Sequence, residues 1–179
     1  MKLNIGSGGK KLDGYVNVDM QPEEDPDVLL NIGTEWWPFR YNSVDEVVAS
    51  HILEHLSTHE FFHCMKEIYR VCRDGAQVHV TLPHPRHDTF LGDPTHQRPV
   101  MPGTLIMFSK GQMNDMLAKG VQLTPFWKHL GVDFYMNPKI VYEFEPSVDV
   151  DAPDLAWQAR HLNNIIKEWR TTLTVVKHA

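Results

Sequence analysis

The 179-residue sequence has no apolar run near the roughly 18 residues that a membrane-spanning helix needs. Nor does an apolar stretch precede the first polar turn, so no export signal is expected. Cysteine is scarce, with only Cys64 and Cys72. Both fall in one expected helix, where eight residues of rise, about 12 Å, hold them too far apart for a disulfide. They read as buried or semi-buried thiols of a reducing compartment, which makes the cytoplasm the expected location. Positive charge is short too: 17 lysines and arginines against 23 acids leave a formal charge of −6. A chain that gripped nucleic acid by its phosphates would be basic or carry a basic stripe. The only tight cationic groups are Lys10-Lys11 and the pair Arg70 and Arg73, so a nucleic-acid partner is disfavoured. No repeat and no linker interrupts the chain, and one domain over residues 1–179 is expected.

What is present is concentrated at the start. Lys2–Ile5 and Tyr15–Val18 have the β-branched content and alternation of strands. Gly6-Ser7-Gly8-Gly9 lies between them, and the second run ends on Asp19. Glycines let a backbone turn sharply and approach a ligand closely, and an acid at the tip of the next strand accepts both hydroxyl hydrogens of a ribose. Together they predict a nucleoside pocket at the carboxyl edge of a parallel sheet. Only residues 7–14 separate the two strands, less than the roughly 10–12 residues of a parallel crossover. The first crossover helix is therefore expected to be reduced or missing. A pyrophosphate is a poor fit for the same reason: Lys11 stands where G-x-G-x-x-G needs its third glycine, and no helix N-terminus is at hand.

Further strands are expected at Val28–Ile32, Val44–Ser50, Ala76–Leu82, Val132–Met136, Ile140–Phe144 and Thr172–Val176. Ser57-Thr58-His59-Glu60 forms a capping box ahead of a helix that carries Phe61, Met65, Ile68, Tyr69 and Cys72 on one face and stops at Asp74-Gly75. A second helix is expected over Ser109–Lys119. The stripe Leu155, Ala159, Leu162, Ile166, Trp169 predicts a third, over 153–169, inserted before the last strand. Residues 84–104, rich in Pro, His, Asp and Gly, form a loop long enough to be functional. Strands alternating with helices indicate an α/β fold with a mostly parallel, twisted sheet of about seven strands and flanking helices.

Three blocks at fitting intervals, LNIGSGGKKLDGYVNVDM, WWPFRYNSVDEVVASHILEHL and EIYRVCRDGAQVHVTLPHP, resemble the class I S-adenosylmethionine-dependent methyltransferases. The likeness is to a compact bacterial and phage-type group related to the type 11 methyltransferase domain, and it covers roughly residues 2–120. It implies a Rossmann-like fold and S-adenosylmethionine as cofactor. Gly6, Ser7 and Gly8 would lie against the methionine part, Asp19 would bind the ribose and Met20 would meet the adenine. Asn31 and Ile32 would touch the adenine edge and face, and Ser50 and His51 would border the sulfonium and the substrate. Many relatives carry an acid where Asn31 stands; its amide still hydrogen-bonds the exocyclic amine. The implied acceptor is a small molecule or a glycan-type group, with His51, His84, His87 and His96 as candidates for positioning it or removing its proton. The fourth strand lacks the Asn/Asp-Pro-Pro-aromatic motif of base-amino methylation, and neither cysteine follows a proline as in cytosine-C5 enzymes. Both absences argue against a nucleic-acid base.

Other readings stand beside this one. His51-Ile52-Leu53-Glu54-His55 matches the inverted zinc-peptidase motif H-x-x-E-H, yet it is squeezed between a strand end and a helix cap. A zinc-dependent hydrolase is thus a minor alternative, and a non-catalytic module that binds S-adenosylmethionine or a partner is another. His84, His87, Asp88, Asp93 and His96 suit either a substrate loop or a metal site; substrate contact is preferred, and no metal is assigned. Trp36-Trp37-Pro38-Phe39 would shelter an adenine ring or simply cover the core. The 155–169 stripe packs on the sheet or provides a lid or homodimer face. His79 reads as a structural histidine, and Glu143, Glu145, Asp149 and Asp151 as a solvated edge.

Overall fold

Five strands, β1 (Lys2–Ile5), β2 (Val16–Asp19), β3 (Val28–Leu29), β4 (Val44–Ser50) and β5 (Cys72–Pro83), pair in parallel in a computed structural model that describes residues 1–178. Three more, β6 (Phe134–Met136), β7 (Val141–Phe144) and β8 (Ile166–Val175), complete an eight-stranded sheet in the order β3-β2-β1-β4-β5-β8-β6. There β8 runs antiparallel to β5, and β6 and β7 both run antiparallel to β8. The helices are α1 (Thr58–Val71), α2 (Asp88–Leu91), α3 (Pro102–Ile106), α4 (Lys110–Ala118), α5 (Phe126–Leu130) and α6 (Leu155–His161). This is the expected mostly parallel α/β sheet with flanking helices, with eight strands in place of about seven. Among the described residues no helix is long and apolar enough to cross a membrane.

The connection between β1 and β2 has no helix, and the chain compensates with amides. Leu3 and Ile5 of β1 and Val18 of β2 are buried in the core, while Asn4 pairs across the strands with Asn17. The Asn4 amide donates to Asn17 Oδ1 at 2.9 Å and to the Lys10 carbonyl at 3.0 Å. Asn17 Oδ1 also accepts from the Leu12 N–H at 2.8 Å, and Asp27 closes the network by accepting from both nitrogens of Asn17. Two buried asparagines thus satisfy loop backbone groups that a crossover helix would have satisfied internally.

The predicted 153–169 helix is corrected. Helix α6 ends at His161, and Ile166 and Trp169 belong to β8. From Trp169 onward the buried residues alternate, Trp169, Thr171, Leu173 and Val175, which is the period of a strand. A register shift beside β7, between Glu143 and Phe144, lets Ile166 and Trp169 be buried although they are three apart. A bulge of this kind reproduces helical spacing in a strand. At the end of α1 the helix stops at Val71, and Asp74-Gly75, with Gly75 at φ +74°, lies inside β5 rather than before it.

Helix α1 begins with the capping box read from the sequence: Glu60 accepts from the Ser57 N–H at 2.8 Å, and Ser57 Oγ from the Glu60 N–H. Its far end carries a buried ion pair, Glu67–Arg70, at 2.7 Å. Glu67 accepts the Trp37 N–H at 2.9 Å, and Arg70 donates to the carbonyls of Trp37 and Phe39. Trp37 is fully buried with its indole N–H on the Ile32 carbonyl, and Trp36 covers the Arg70 guanidinium at 3.9 Å. The Trp36–Phe39 segment is therefore core covering, fastened by charge from α1. Cys64 and Cys72 are free and buried; burial pushes the Cys64 thiol far up and the Cys72 thiol up to about 12.

Candidate functional site

The sheet order reverses between β1 and β4, so the loops leaving these two strands diverge and open a crevice at their carboxyl ends. After β1 the chain turns sharply at Gly6, with φ +61°. A Cβ there would lie 2.4 Å from Ile52 Cγ1, so only glycine admits the Ile52 side chain against the turn. Gly8, at φ +46°, aims its N–H at Asp19 Oδ2 at 2.8 Å, and the Gln21 N–H donates to Asp19 Oδ1 at 2.9 Å. The carboxylate at the tip of β2 is thus oriented by two backbone donors.

Asp19 lines a cleft with Gly6, Met20, Leu30, Asn31, Ile32, Ile52, His55, Leu56, Glu60 and Gln97. Its walls are mainly apolar, with the acid at one end. Asn31 Oδ1 accepts from the Gly33 N–H at 3.0 Å and keeps a second lone pair for a ligand. Gly33 lies flush on α1, where a Cβ would come 2.7 Å from Glu60 Cβ. A second cleft shares Gly6 and continues along Ser7, Gly8, Ser50 and His51. The nine residues assigned by resemblance to the cofactor therefore line two clefts that meet at Gly6. Ser7 Oγ, buried in the second, has no hydrogen-bond partner in the protein.

His51, the first residue after β4, is held in the left-handed region at φ +52°, a conformation that costs a non-glycine residue energy and needs support. Support comes from its N–H on the Thr81 carbonyl at 3.0 Å and its Nε2 on Glu168 Oε2, also at 3.0 Å. Its Nδ1 lies 3.5 Å from Glu54 Oε1. The carboxylates of Glu54 and Glu168 beside it hold its pKa above the ordinary imidazole value, Glu54 contributing most and partial burial opposing.

His51 also borders a third, polar cavity with Lys10, Glu54, His55, Asp93, His96, Lys167 and Glu168. The other two histidines singled out from the sequence do not line it. His84 is buried, with burial and nearby Arg86 pushing its pKa down, and its Nδ1 accepts from the Arg86 N–H. His87 caps α2, accepting from the Thr89 N–H at 3.1 Å, and its Nε2 meets Glu145 Oε2 at 2.9 Å. Glu145 is accordingly a partner of His87 and not merely solvated. Arg86 donates to the carbonyls of Ala159 and Arg160 at the end of α6, and Arg98 to the Leu56 carbonyl. The 84–104 segment is thus fastened at both ends and carries α2 and the start of α3.

The H-x-x-E-H stretch is not arranged as in a zinc peptidase. Leu53–His55 is a single 3₁₀ turn, and His51 turns to Glu168 while His55 faces His96 with ring centroids 4.6 Å apart. Sequence reading did not single out Ile52, Leu56, Glu60 and Gln97 as cleft residues. Glu60 was visible only as a cap, and Gln97 reaches the cleft because its N–H bonds the Glu54 carbonyl at 2.8 Å.

Residues 16–80 match the family described as a methyltransferase domain. The matched stretch runs from β2 into β5. The fold of the whole chain is similar to that of a SAM-dependent methyltransferase from Archaeoglobus fulgidus, at 18% identity over 97% of this chain and 85% of that one, with a TM-score of 0.64. A SAM-dependent methyltransferase from Methanosarcina mazei aligns at 13% identity over 99% and 92%, with a TM-score of 0.57. One from Mesorhizobium loti aligns at 14% over 97% and 89%, with a TM-score of 0.52. No curated protein matches the sequence.

Proposed function

We propose that this chain, which matches the methyltransferase-domain family over residues 16–80, binds S-adenosylmethionine in the crevice between β1 and β4 and methylates a small-molecule or glycan-type acceptor. The observation that carries the reading is the Asp19 carboxylate, held by the Gly8 and Gln21 N–H groups at the mouth of an apolar cleft. That arrangement suits a nucleoside whose ribose hydroxyls meet an acid and whose base slides between Met20, Ile32 and Leu56. The residues fit the cofactor in a second respect. Buried Ser7 Oγ is unpartnered in the cleft that continues from the nucleoside end, where it would meet the polar amino-acid end of the ligand.

When bound, the cofactor supplies a methyl already activated on a sulfonium, so holding the acceptor in line accounts for much of the rate. Ser50 and His51 border that position, and His51 is fixed by its bond to Glu168. His96 faces the same polar cavity, whereas His84 and His87 hold the loop together. The cavity mixes Lys10 and Lys167 with Glu54, Asp93 and Glu168. Such a lining suits a neutral, hydroxyl-bearing acceptor better than a polyanion.

Calorimetric titration with S-adenosylmethionine and S-adenosylhomocysteine is expected to give one site per chain. Transfer of labelled methyl is expected to sugar-bearing small molecules and not to RNA or DNA. Absence of cofactor binding would overturn the reading. Binding without transfer to any hydroxyl-bearing acceptor would favour a non-catalytic module, and labelled nucleic acid would overturn the acceptor class.

A further inference from the structure

Glu54 is the least compensated polar side chain near the cleft. It is 1% exposed, and neither carboxylate oxygen has a hydrogen-bond partner. Its nearest cationic neighbour, His51 Nδ1, stands off at 3.5 Å and is drawn the other way by Glu168. Burying a carboxylate without hydrogen bonds is costly, and such groups are found paired or coordinating a metal. Among the described residues, one trio of candidate metal ligands has its donor atoms within 4.8 Å of one another: Glu54, His55 and His96.

The two imidazoles are oriented for ligation. His96 Nδ1 donates to the Phe90 carbonyl at 2.8 Å, and its ring stacks on Phe90. The Thr95 hydroxyl donates to Asp93 Oδ1 at 2.6 Å, so it must accept from His55 Nδ1 at 2.9 Å. Both rings thus carry a proton on Nδ1, which leaves Nε2 as the ligating nitrogen; that of His96 lies 3.7 Å from Asp93 Oδ2, which an incoming ion displaces. Hydrogen bonding of the second nitrogen is how proteins fix metal-binding histidines. The turn and the loop are also held in register by the chain itself, through the N–H groups of Gln97 and Arg98 on the Glu54 carbonyl.

We infer that Glu54, His55 and His96 form a site for a divalent transition-metal ion such as zinc. Two imidazoles and one carboxylate are an established donor set for such ions, and three protein ligands leave a coordination position open. Zinc–nitrogen bonds of about 2.0–2.1 Å place tetrahedral ligands about 3.4 Å apart, so the trio closes by roughly an ångström on binding. His55 lines the nucleoside cleft and all three ligands line the polar cavity, so the ion stands in the wall between them. This location is not that of an inverted zinc-peptidase site, which would use His51 and His55 as ligands and Glu54 as base. If methyl transfer proceeds as proposed, the open position faces the incoming acceptor and binds its oxygen; the metal site itself does not depend on that reading.

Chelator-treated protein titrated with zinc chloride is expected to bind one ion per chain at micromolar affinity or better, and cobalt(II) to give the visible absorption of a low-symmetry site. Glu54→Gln and His96→Ala should each weaken zinc at least tenfold, while His79→Gln, at a half-buried histidine of β5 that lines neither cleft nor polar cavity, leaves it unchanged. Zinc at a hundredfold its Kd should raise the parent melting temperature by roughly 5 °C or more, and that of Glu54→Gln far less. Should Glu54→Gln fail to fold, His55→Gln and His96→Ala carry the test. No binding by the parent, or binding that survives both His55→Gln and His96→Ala in folded protein, would overturn the site. S-adenosylhomocysteine titrated in the same samples separates failure of the metal site from failure of the cofactor reading.

Discussion

The two walls of the cleft solve the burial of polar groups in opposite ways. On the glycine wall, after β1, both buried asparagines are answered, Asn4 and Asn17 binding each other, the Lys10 carbonyl and the Leu12 N–H, and Asp19 takes two backbone donors, which leaves the neutral Ser7 hydroxyl without a partner. On the histidine wall, after β4, the carboxylate of Glu54 is buried without a hydrogen bond and His51 is held at positive φ. A satisfied network rigidifies a loop that has no helix to support it. An unsatisfied charge in a cavity marks a place where something else completes the structure. The first wall is preorganised for a ligand; the second is incomplete without one.

Changes on the glycine wall should cost the fold most. Gly6→Ala forces a side chain into positive φ and onto Ile52. It should destabilise by about 3 kcal/mol in urea unfolding and abolish cofactor binding if the protein still folds. Asn17→Ala removes the oxygen that accepts from the Leu12 N–H and the buried Asn4 amide and should cost about 2 kcal/mol by the same measurement.

The histidine wall should respond with the opposite sign. Glu54→Gln removes a buried charge that has no hydrogen bond and only His51 Nδ1 at 3.5 Å beside it; it should leave stability unchanged or raise it by up to about 1 kcal/mol in chelator. If Glu54→Gln destabilised in chelator as much as Asn17→Ala, the contrast between the walls would be lost.

The smallest effect concerns pH. Burial lowers the folded pKa of His84, so the unfolded chain takes up the proton first. The stability this neutral histidine allows is full above its ordinary value, near 6.5, and is lost as pH falls from there toward the lowered folded value. In His84→Gln the drop in melting temperature between pH 7.5 and 5.5 should be smaller than in the parent, as read by thermal denaturation at each pH.

Much of this architecture was legible because it is local. The β1–turn–β2 segment declares itself by alternation and glycine, α1 by its capping box, and Asp19 by its distance from Gly6. What failed to show depends on partners far along the chain. A bulge in β8 opposite β7 placed Ile166 and Trp169 at helical spacing, and nothing in their own neighbourhood corrects that. The Trp36–Phe39 segment reads from sequence as base shelter or core cover alike, and only Glu67 and Arg70, some 30 residues later, decide for core by taking up its backbone. Of the four histidines, His84 and His87 serve the loop because Arg86 and Glu145 reach them. His96 meets Glu54 and His55 only because residues 97 and 98 bind the Glu54 carbonyl. Residue types named the candidates; loop closure decided among them.

The central claim is that Asp19, set by the Gly8 and Gln21 N–H groups, holds the ribose of S-adenosylmethionine. Calorimetric titration of S-adenosylhomocysteine into the parent, Asp19→Asn and Asp19→Ala, each shown to be folded by circular dichroism, tests it most directly. The account predicts a Kd raised by about tenfold or more in Asp19→Ala, the loss of a charge-assisted hydrogen bond, with a smaller loss in Asp19→Asn. Equal affinities in all three proteins would contradict it.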